Sequence, residues 1–279
     1  MPLIYRTWAS HWTTLVERID MHYYETLKRR SYLNSKDALY KLEDWVIKQC
    51  KPYPGMRVLD LGCGTGKNTF PFADLISPGG SILGFDISQE AVTEVNEKAK
   101  TNQLKQIRAM KGSFDECINL LHDSKFDLIL SCYAIYYAKD MKGVLCALRS
   151  LLNPNGHIFI CGYGKMNNQE IFNIINHVIP NPHEQMKSAG DFIHASSIEE
   201  IGKCYQRFST VRLYNKIQFN KVDDVLEWWK NHPSYLPEIY DQVEDELRTY
   251  FALKSNFVLT KSILGVNYYS WTLDLEGLT

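Results

Sequence analysis

Between Met56 and Tyr163 the chain repeats one pattern. Five short apolar runs, MRVLDL (56–61), SILGF (81–85), IRAM (107–110), FDLILS (126–131) and HIFICGY (157–163), are separated by helical-looking stretches near 67–76, 88–102, 114–121 and 140–152. Parallel neighbours need a crossover, which a helix usually provides, so five strands alternating with four helices predict a parallel, doubly wound α/β sheet. Runs this uniformly apolar predict strands buried on both faces.

The flanks read differently. Residues 1–50 lack strand alternation, and two or three helices are expected there; Leu39, Leu42, Trp45 and Val46 recur at helical spacing, with Ser35 as the N-cap before them. After Tyr163 the reading is a helix over 168–178 broken by Pro180 and Pro182, a helix over 196–204, and an alternating strand over 206–219. An aromatic, acidic helical block over 221–253 and a last strand over 256–266 follow; three Lys or Arg face eight Asp or Glu between Lys221 and Arg248. No Gly/Ser linker separates independent domains. The division expected is a helical lid over 1–50, a cofactor-binding core over 51–165, and a region over 166–279 that returns the remaining core strands and carries a helical substrate cap at about 220–255.

VLDLGCGTGKNT at 58–69 follows a predicted strand, opens a predicted helix and carries Gly62, Gly64 and Gly66. Glycine permits positive φ and close approach of a ligand to the backbone, and the helix N-terminus adds free N–H groups and a positive dipole. Asp86 ends the second run, where a carboxylate can accept both hydrogen bonds of a ribose diol. Adenosine-bearing cofactors of two kinds use this geometry. A dinucleotide enzyme normally shows G-x-G-x-x-G, whereas here the third glycine comes one residue early and Lys67 stands in its place. The Tyr-x-x-x-Lys pairs, Tyr24 with Lys28 and Tyr250 with Lys254, lie outside the segment where a short-chain dehydrogenase would place one.

The stretch Val58–Gly66 resembles the cofactor loop of class I S-adenosylmethionine-dependent methyltransferases of small-molecule type. GFD at 84–86, KGSFDE at 111–116, FDLILSCYAIYY at 126–137 and LRSLLNPNGHIFI at 148–160 extend the resemblance over about 55–163. It implies a Rossmann-like, seven-stranded, mostly parallel sheet with the last strand antiparallel and helices on both faces, together with N-terminal helices and a helical cap. It also implies roles. Asp60 would face the methionine ammonium, and the backbone from Gly62 through Cys63 and Gly64 to Gly66 would pack on methionine and ribose. Asp86 would hold the ribose hydroxyls, Ile87 would stack on adenine, Ser113 and Phe114 would meet the adenine edge, and Ser131 would end strand four beside the methyl group. Position 113 is an acid in many relatives and Ser here.

Methyl transfer from a sulfonium is an in-line displacement, so the protein mainly aligns the partners and excludes water. Strand four lacks the Asp/Asn-Pro-Pro-Tyr/Phe tetrad of amino-methylating DNA and glutamine enzymes and the Pro-Cys pair of a cytosine-C5 enzyme, and the run after Asp127 is uncharged until Lys139, so no metal is expected. Tyr133 and Tyr137, beyond the end of strand four, lead the catalytic candidates, with His11 and His22 as weaker bases. Tyr24, Tyr133, Tyr137 and Trp228 are the substrate candidates. An aromatic setting with an acidic balance over 221–248 would favour a cationic amine.

Thirty-one Lys plus Arg against 32 Asp plus Glu give a net charge of −1, without the cationic surplus of a nucleic-acid-coating protein. The N-terminus carries no signal-peptide pattern, and the longest nearly uncharged stretch, LILSCYAIYYA at 128–138, is too short to span a bilayer. Seven Cys without a C-x-x-C pair suggest neither a disulfide framework nor a zinc site. The expectation is a cytoplasmic enzyme, monomer or homodimer, with a small-molecule substrate and no nucleic-acid or membrane partner. S-adenosylmethionine is the expected cofactor and S-adenosylhomocysteine its product. The competing readings are a nicotinamide-dependent oxidoreductase on the same sheet and a non-catalytic cofactor-binding subunit.

Overall fold

The apolar runs are the first five strands of a sheet in the computed structural model of the chain, which describes residues 21–36, 38–179, 190–232 and 234–270, leaving out the side chains of 21–24 and 27. The strands are β1 (Arg57–Leu61), β2 (Ser81–Asp86), β3 (Ile107–Lys111), β4 (Phe126–Cys132), β5 (Leu152–Tyr163), β6 (Arg207–Phe219) and β7 (Phe257–Tyr269). Their order is β3-β2-β1-β4-β5-β7-β6. The sheet is mostly parallel with an antiparallel hairpin at its edge, as the resemblance implies.

The residues cluster into two units. The first comprises Glu43–Gly162, Asp191–Arg212 and Leu264–Thr279; the second comprises Met1–Leu42, Tyr163–Gly190 and Leu213–Ile263.

In the first unit β1 pairs in parallel with β2 and β4, β2 with β3, and β4 with β5. Val58, Leu59, Leu61, Leu128, Ile129 and Leu130 are at most 1% exposed, which is the two-faced burial their unbroken apolarity requires. The crossover helix after β2 forms because Ala91, Val92, Val95 and Ala99 make one apolar stripe and Ser88 caps it, its side chain accepting from the Ala91 N–H at 3.1 Å. β5 starts five residues before the apolar run at His157. Leu152 pairs with Phe126 and His157 with Leu128, so Asn153–Gly156 form an irregularity that hydrophobicity could not reveal.

In the second unit α1 (Met21–Lys36), α7 (Gln169–Val178), α9 (Val222–Lys230) and α10 (Tyr240–Lys254) share a core of Leu33, Ile171, Phe172, Ile175, Trp228, Trp229, Val243 and Leu247. The intervening helices belong to the first unit: α2 (Leu42–Cys50), α3 (Thr69–Phe72), α4 (Gln89–Thr101), α5 (Cys117–Leu120), α6 (Met141–Ala147) and α8 (Ala195–Gly202), where Leu42 alone falls to the second unit. The block over 221–253 is two helices, interrupted around Pro237.

Two expectations need correcting. Ser35 is not an N-cap: it lies in the last turn of α1 with its hydroxyl donating back to the carbonyls of Ser31 (3.1 Å) and Tyr32 (3.0 Å). The next helix starts at Leu42, and Leu39 is 64% exposed. Cys146 and Cys204 form a disulfide across 58 residues, their Cα atoms 5.5 Å apart, because the fold brings α6 beside the turn after α8. Nothing in their spacing marks them as partners. The remaining described cysteines are free and buried.

Candidate active site

The loop after β1 turns at Gly62 (φ +74°). A Cβ at this position would lie 2.2 Å from Ala134 Cβ and 3.3 Å from Phe114 Cζ, so glycine is what lets the loop pass under the segment that follows β4. The Gly62 N–H donates to the Phe85 carbonyl at 2.7 Å, and the loop closes through the Gly66 N–H to the Cys63 carbonyl at 2.9 Å. Gly64 (φ +52°) differs: nothing lies within 4 Å of the Cβ it lacks, so its face is open to a ligand.

Asp86 is tied to this loop. Its Oδ2 accepts from the Gly64 N–H at 2.8 Å and its Oδ1 from the Ser88 N–H at 2.9 Å. A carboxylate offers about four lone-pair directions, so a fixed acceptor remains for a diol. Burial pushes the Asp86 carboxyl up, and these backbone hydrogen bonds oppose that. Ile87, beside it, is 42% exposed and presents an apolar face.

Asp60, the last residue but one of β1, is 2% exposed, in register with Gly84 on one side and Leu130 on the other. Its Oδ2 accepts from the Thr69 hydroxyl at 2.6 Å. Burial pushes its carboxyl up to about 7; the Thr69 hydrogen bond works against that and the Asp86 charge adds to it. A cationic group arriving here would restore the ionised form. The Cys63 thiol is pushed far up, by burial first and then by Asp60 and Asp86, and is no nucleophile at neutral pH.

The Ser131 hydroxyl donates to the Leu61 carbonyl at 2.8 Å and ties the end of β4 to the end of β1. Tyr133, two residues on, has φ +57° and its N–H donates to the Cys161 carbonyl at 2.7 Å. A tyrosine in the left-handed region is uncommon, and such strain concentrates where side chains must be aimed. Burial holds the Tyr133 hydroxyl well above the usual phenol range, so it keeps its proton at neutral pH. The Tyr137 ring packs on Tyr136, centroids 4.8 Å apart, in the 3₁₀ turn Ile135–Tyr137. Phe114 reaches the loop, whereas Ser113 gives both its N–H (3.0 Å) and its hydroxyl (2.6 Å) to Glu116 Oε2, a local capping arrangement written in the sequence as Ser-x-x-Glu.

The structure thus brings Asp60, the glycine loop, Asp86, Ile87, Phe114, Ser131 and Tyr133 to the carboxyl ends of β1, β2 and β4. It adds Thr69 and Ala134, which sequence reasoning missed. Thr69 carries only the weak signal of a hydroxyl in the first turn after a glycine loop; Ala134 carries none. Trp228 is enclosed in the core of the second unit and its indole N–H donates to Asn34 Oδ1 at 2.9 Å. His11 and the side chains of His22 and Tyr24 lie outside the described residues. A cleft of about 270 Å³ between Arg57, Ser81 and Arg108 lies at the opposite ends of the strands and contains none of the loop residues. Lys67, in the third-glycine position of a dinucleotide fingerprint, pairs with Glu43 at 3.7 Å.

A loop glycine open to a ligand, a tethered carboxylate at the end of β2 and a buried acid on β1 are the fittings of a nucleoside-bearing methyl donor on a Rossmann-like sheet. Residues 53–227 match the methyltransferase-domain family, and the chain belongs to it. Among curated proteins it is 30% identical over 143 residues to an uncharacterised methyltransferase of Schizosaccharomyces pombe, covering 47% of this chain and 45% of that protein. It is 30% identical over 111 residues to the nocamycin O-methyltransferase of Saccharothrix syringae, covering 40% of this chain and 39% of that enzyme. The matched stretch therefore spans less than half the length of each relative. In fold it is similar to the YcgJ protein of Bacillus subtilis, with a TM-score of 0.52 at 16% identity over 82% of this chain and 98% of that one.

Proposed function

We propose that the chain transfers a methyl group from S-adenosylmethionine to a nitrogen or oxygen atom of a small organic molecule. The observation that carries this is the Gly64 N–H to Asp86 bond, which joins the open loop to the ribose acceptor. When bound, the cofactor supplies an electrophilic methyl group on a sulfonium.

The chain's own residues orient and enclose. Asp86 accepts from the ribose hydroxyls, Ile87 and Phe114 offer apolar surface to the adenine, and Asp60 faces the ammonium. Ser131 holds β4 against β1 and so sets where Tyr133 begins its turn. Tyr133 and Tyr137 orient the acceptor and exclude water, the main contributions a protein can make to an in-line displacement. Near-balanced charge supports a small-molecule acceptor over nucleic acid, and the reading includes a cytoplasmic monomer or homodimer. The kinship with an O-methyltransferase supports an oxygen acceptor. The acidic residues over 221–248 support an amine less than composition suggested, since Glu227 pairs with Arg29, and Glu244 and Asp223 with Arg248.

Calorimetric titration of the whole protein with S-adenosylhomocysteine and, separately, with NAD tests this reading. Micromolar binding of the former alone is expected, and binding of NAD alone would overturn it. Asp86→Ala should weaken S-adenosylhomocysteine by about tenfold or more, through loss of a charged acceptor; unchanged affinity removes Asp86 from the site. Tyr133→Phe and Tyr137→Phe should lower kcat about tenfold while changing cofactor Kd less than about twofold. The reverse pattern would put these rings in the cofactor pocket.

A further inference from the structure

The seven cysteines divide by exposure. Cys50, Cys63, Cys117, Cys132 and Cys161 are free and buried, whereas Cys146 and Cys204, bonded to each other, are both half-buried. Burial pushes the thiols of Cys50, Cys63, Cys117 and Cys132 up, so these stay protonated at neutral pH as well as shielded. Thiol–disulfide exchange needs a thiolate to reach one of two bonded sulfurs. The cysteines within reach of a thiol in solution are therefore the two already joined.

More than the bond itself holds its two ends together. Cys146 lies in α6 and Cys204 in the turn after α8. Lys142 of α6 pairs with Glu200 of α8, the Tyr205 hydroxyl donates to the Leu145 carbonyl, and the Arg149 guanidinium donates to the Cys204 carbonyl at 2.8 Å. On the same two segments Leu145, Leu148, Ile198 and Ile201 are at most 6% exposed. At the start of the tethered segment Phe192 packs on Tyr136, ring centroids 5.9 Å apart. None of these contacts runs through the sulfurs, so two thiols formed here stay opposed, and joining them again is an intramolecular step.

We propose that Cys146 and Cys204 are a reversible thiol–disulfide site, opened in the folded protein by a small-molecule thiol and closed again by the corresponding disulfide. The reagent's thiolate attacks one cysteine sulfur, the Cys146–Cys204 bond breaks, and the other cysteine leaves as a thiolate that takes up a proton. A second reagent thiolate attacks the reagent's own sulfur in the mixed disulfide and frees the first cysteine, which is protonated in turn. Two electrons and two protons pass to the protein, and two reagent thiols become one disulfide. The site is separate from the residues assigned to the cofactor and requires no methyl transfer. Its output is stability: the bond joins residues 58 apart in the chain, and opening it releases the unfolded chain from that constraint.

Equilibration of the full chain in mixtures of reduced and oxidised glutathione, followed by trapping with N-ethylmaleimide and peptide mass spectrometry, tests this. In reducing mixtures the label should appear on Cys146 and Cys204 alone, and reversing the mixture before trapping should abolish it. The buried thiols should take label only in denaturant. The wild type should melt roughly 5–10 °C lower when reduced. The double variant Cys146→Ser with Cys204→Ser should melt at the reduced wild-type temperature in both mixtures. A bond that opens only in denaturant, a reduced chain that labels at all seven cysteines or fails to reclose, or equal melting of the wild type in both mixtures overturns the proposal.

Discussion

Asp60→Asn should give a protein that is more stable and binds its methyl donor worse. The carboxyl rises from 3.8 in the unfolded chain to about 7 in the fold, so its contribution is intact below pH 3.8 and is lost progressively as pH rises to about 7. Above that the wild type carries a penalty on the order of 4 kcal/mol, which asparagine never incurs while keeping an oxygen for the Thr69 hydroxyl. Thermal unfolding of both proteins from pH 4 to pH 8 should show curves that coincide in acid and separate by several degrees of Tm near pH 8. Cofactor affinity should move the other way, falling about tenfold to a hundredfold at pH 8, because a charged partner of the ammonium is gone. In the wild type, S-adenosylmethionine binding should weaken below pH 7 by up to about tenfold per unit, since the carboxyl must lose its proton before it faces a cation. Wild-type affinity in Asp60→Asn would remove Asp60 from the ammonium site.

Gly62→Ala and Gly64→Ala should separate folding from binding within one loop. At position 62 the new methyl meets Ala134 Cβ at 2.2 Å in a backbone with φ +74°, and β4 cannot withdraw while Ser131 holds it to Leu61. A loss of roughly 3 kcal/mol is expected from overpacking and strain together. At position 64 the methyl meets nothing within 4 Å, so about 1 kcal/mol of backbone strain is the whole cost to the fold. The methyl would instead project from the loop's open face, and cofactor affinity should fall by more than about tenfold with stability nearly intact. Chemical denaturation and calorimetry on the two variants check this; equal effects on binding and stability at position 64 would show that its open face is not where the cofactor lies.

The strands, their parallel pairing and the ends that carry the ligand were legible because each signal is local. An apolar run buried on both faces can only be an interior strand, and a glycine loop between strand and helix declares its purpose through backbone freedom and free N–H groups. Asp86 was legible for the same reason, as the last residue of a run. The legible part stops where one residue type can serve several local hydrogen-bond roles, and where partners are distant in sequence. Ser35 has the chemistry of a cap and serves as a back-bonding hydroxyl inside α1. Ser113, placed at the adenine edge by resemblance, also donates its N–H and its hydroxyl to Glu116, three residues on, a local role that the resemblance does not bring out. Cys146 and Cys204 become partners only when α6 and the turn after α8 meet.

By itself, then, the sequence determined the sheet, the loop and the carboxylate at the end of β2, since these depend on side-chain period and on backbone conformations that particular residues permit. Tertiary structure alone decided which acid is held near neutrality, which thiols pair, and that Tyr133 turns with positive φ. Those properties are set by desolvation and by distances between residues far apart in the chain, and neither quantity is written in any local stretch of it.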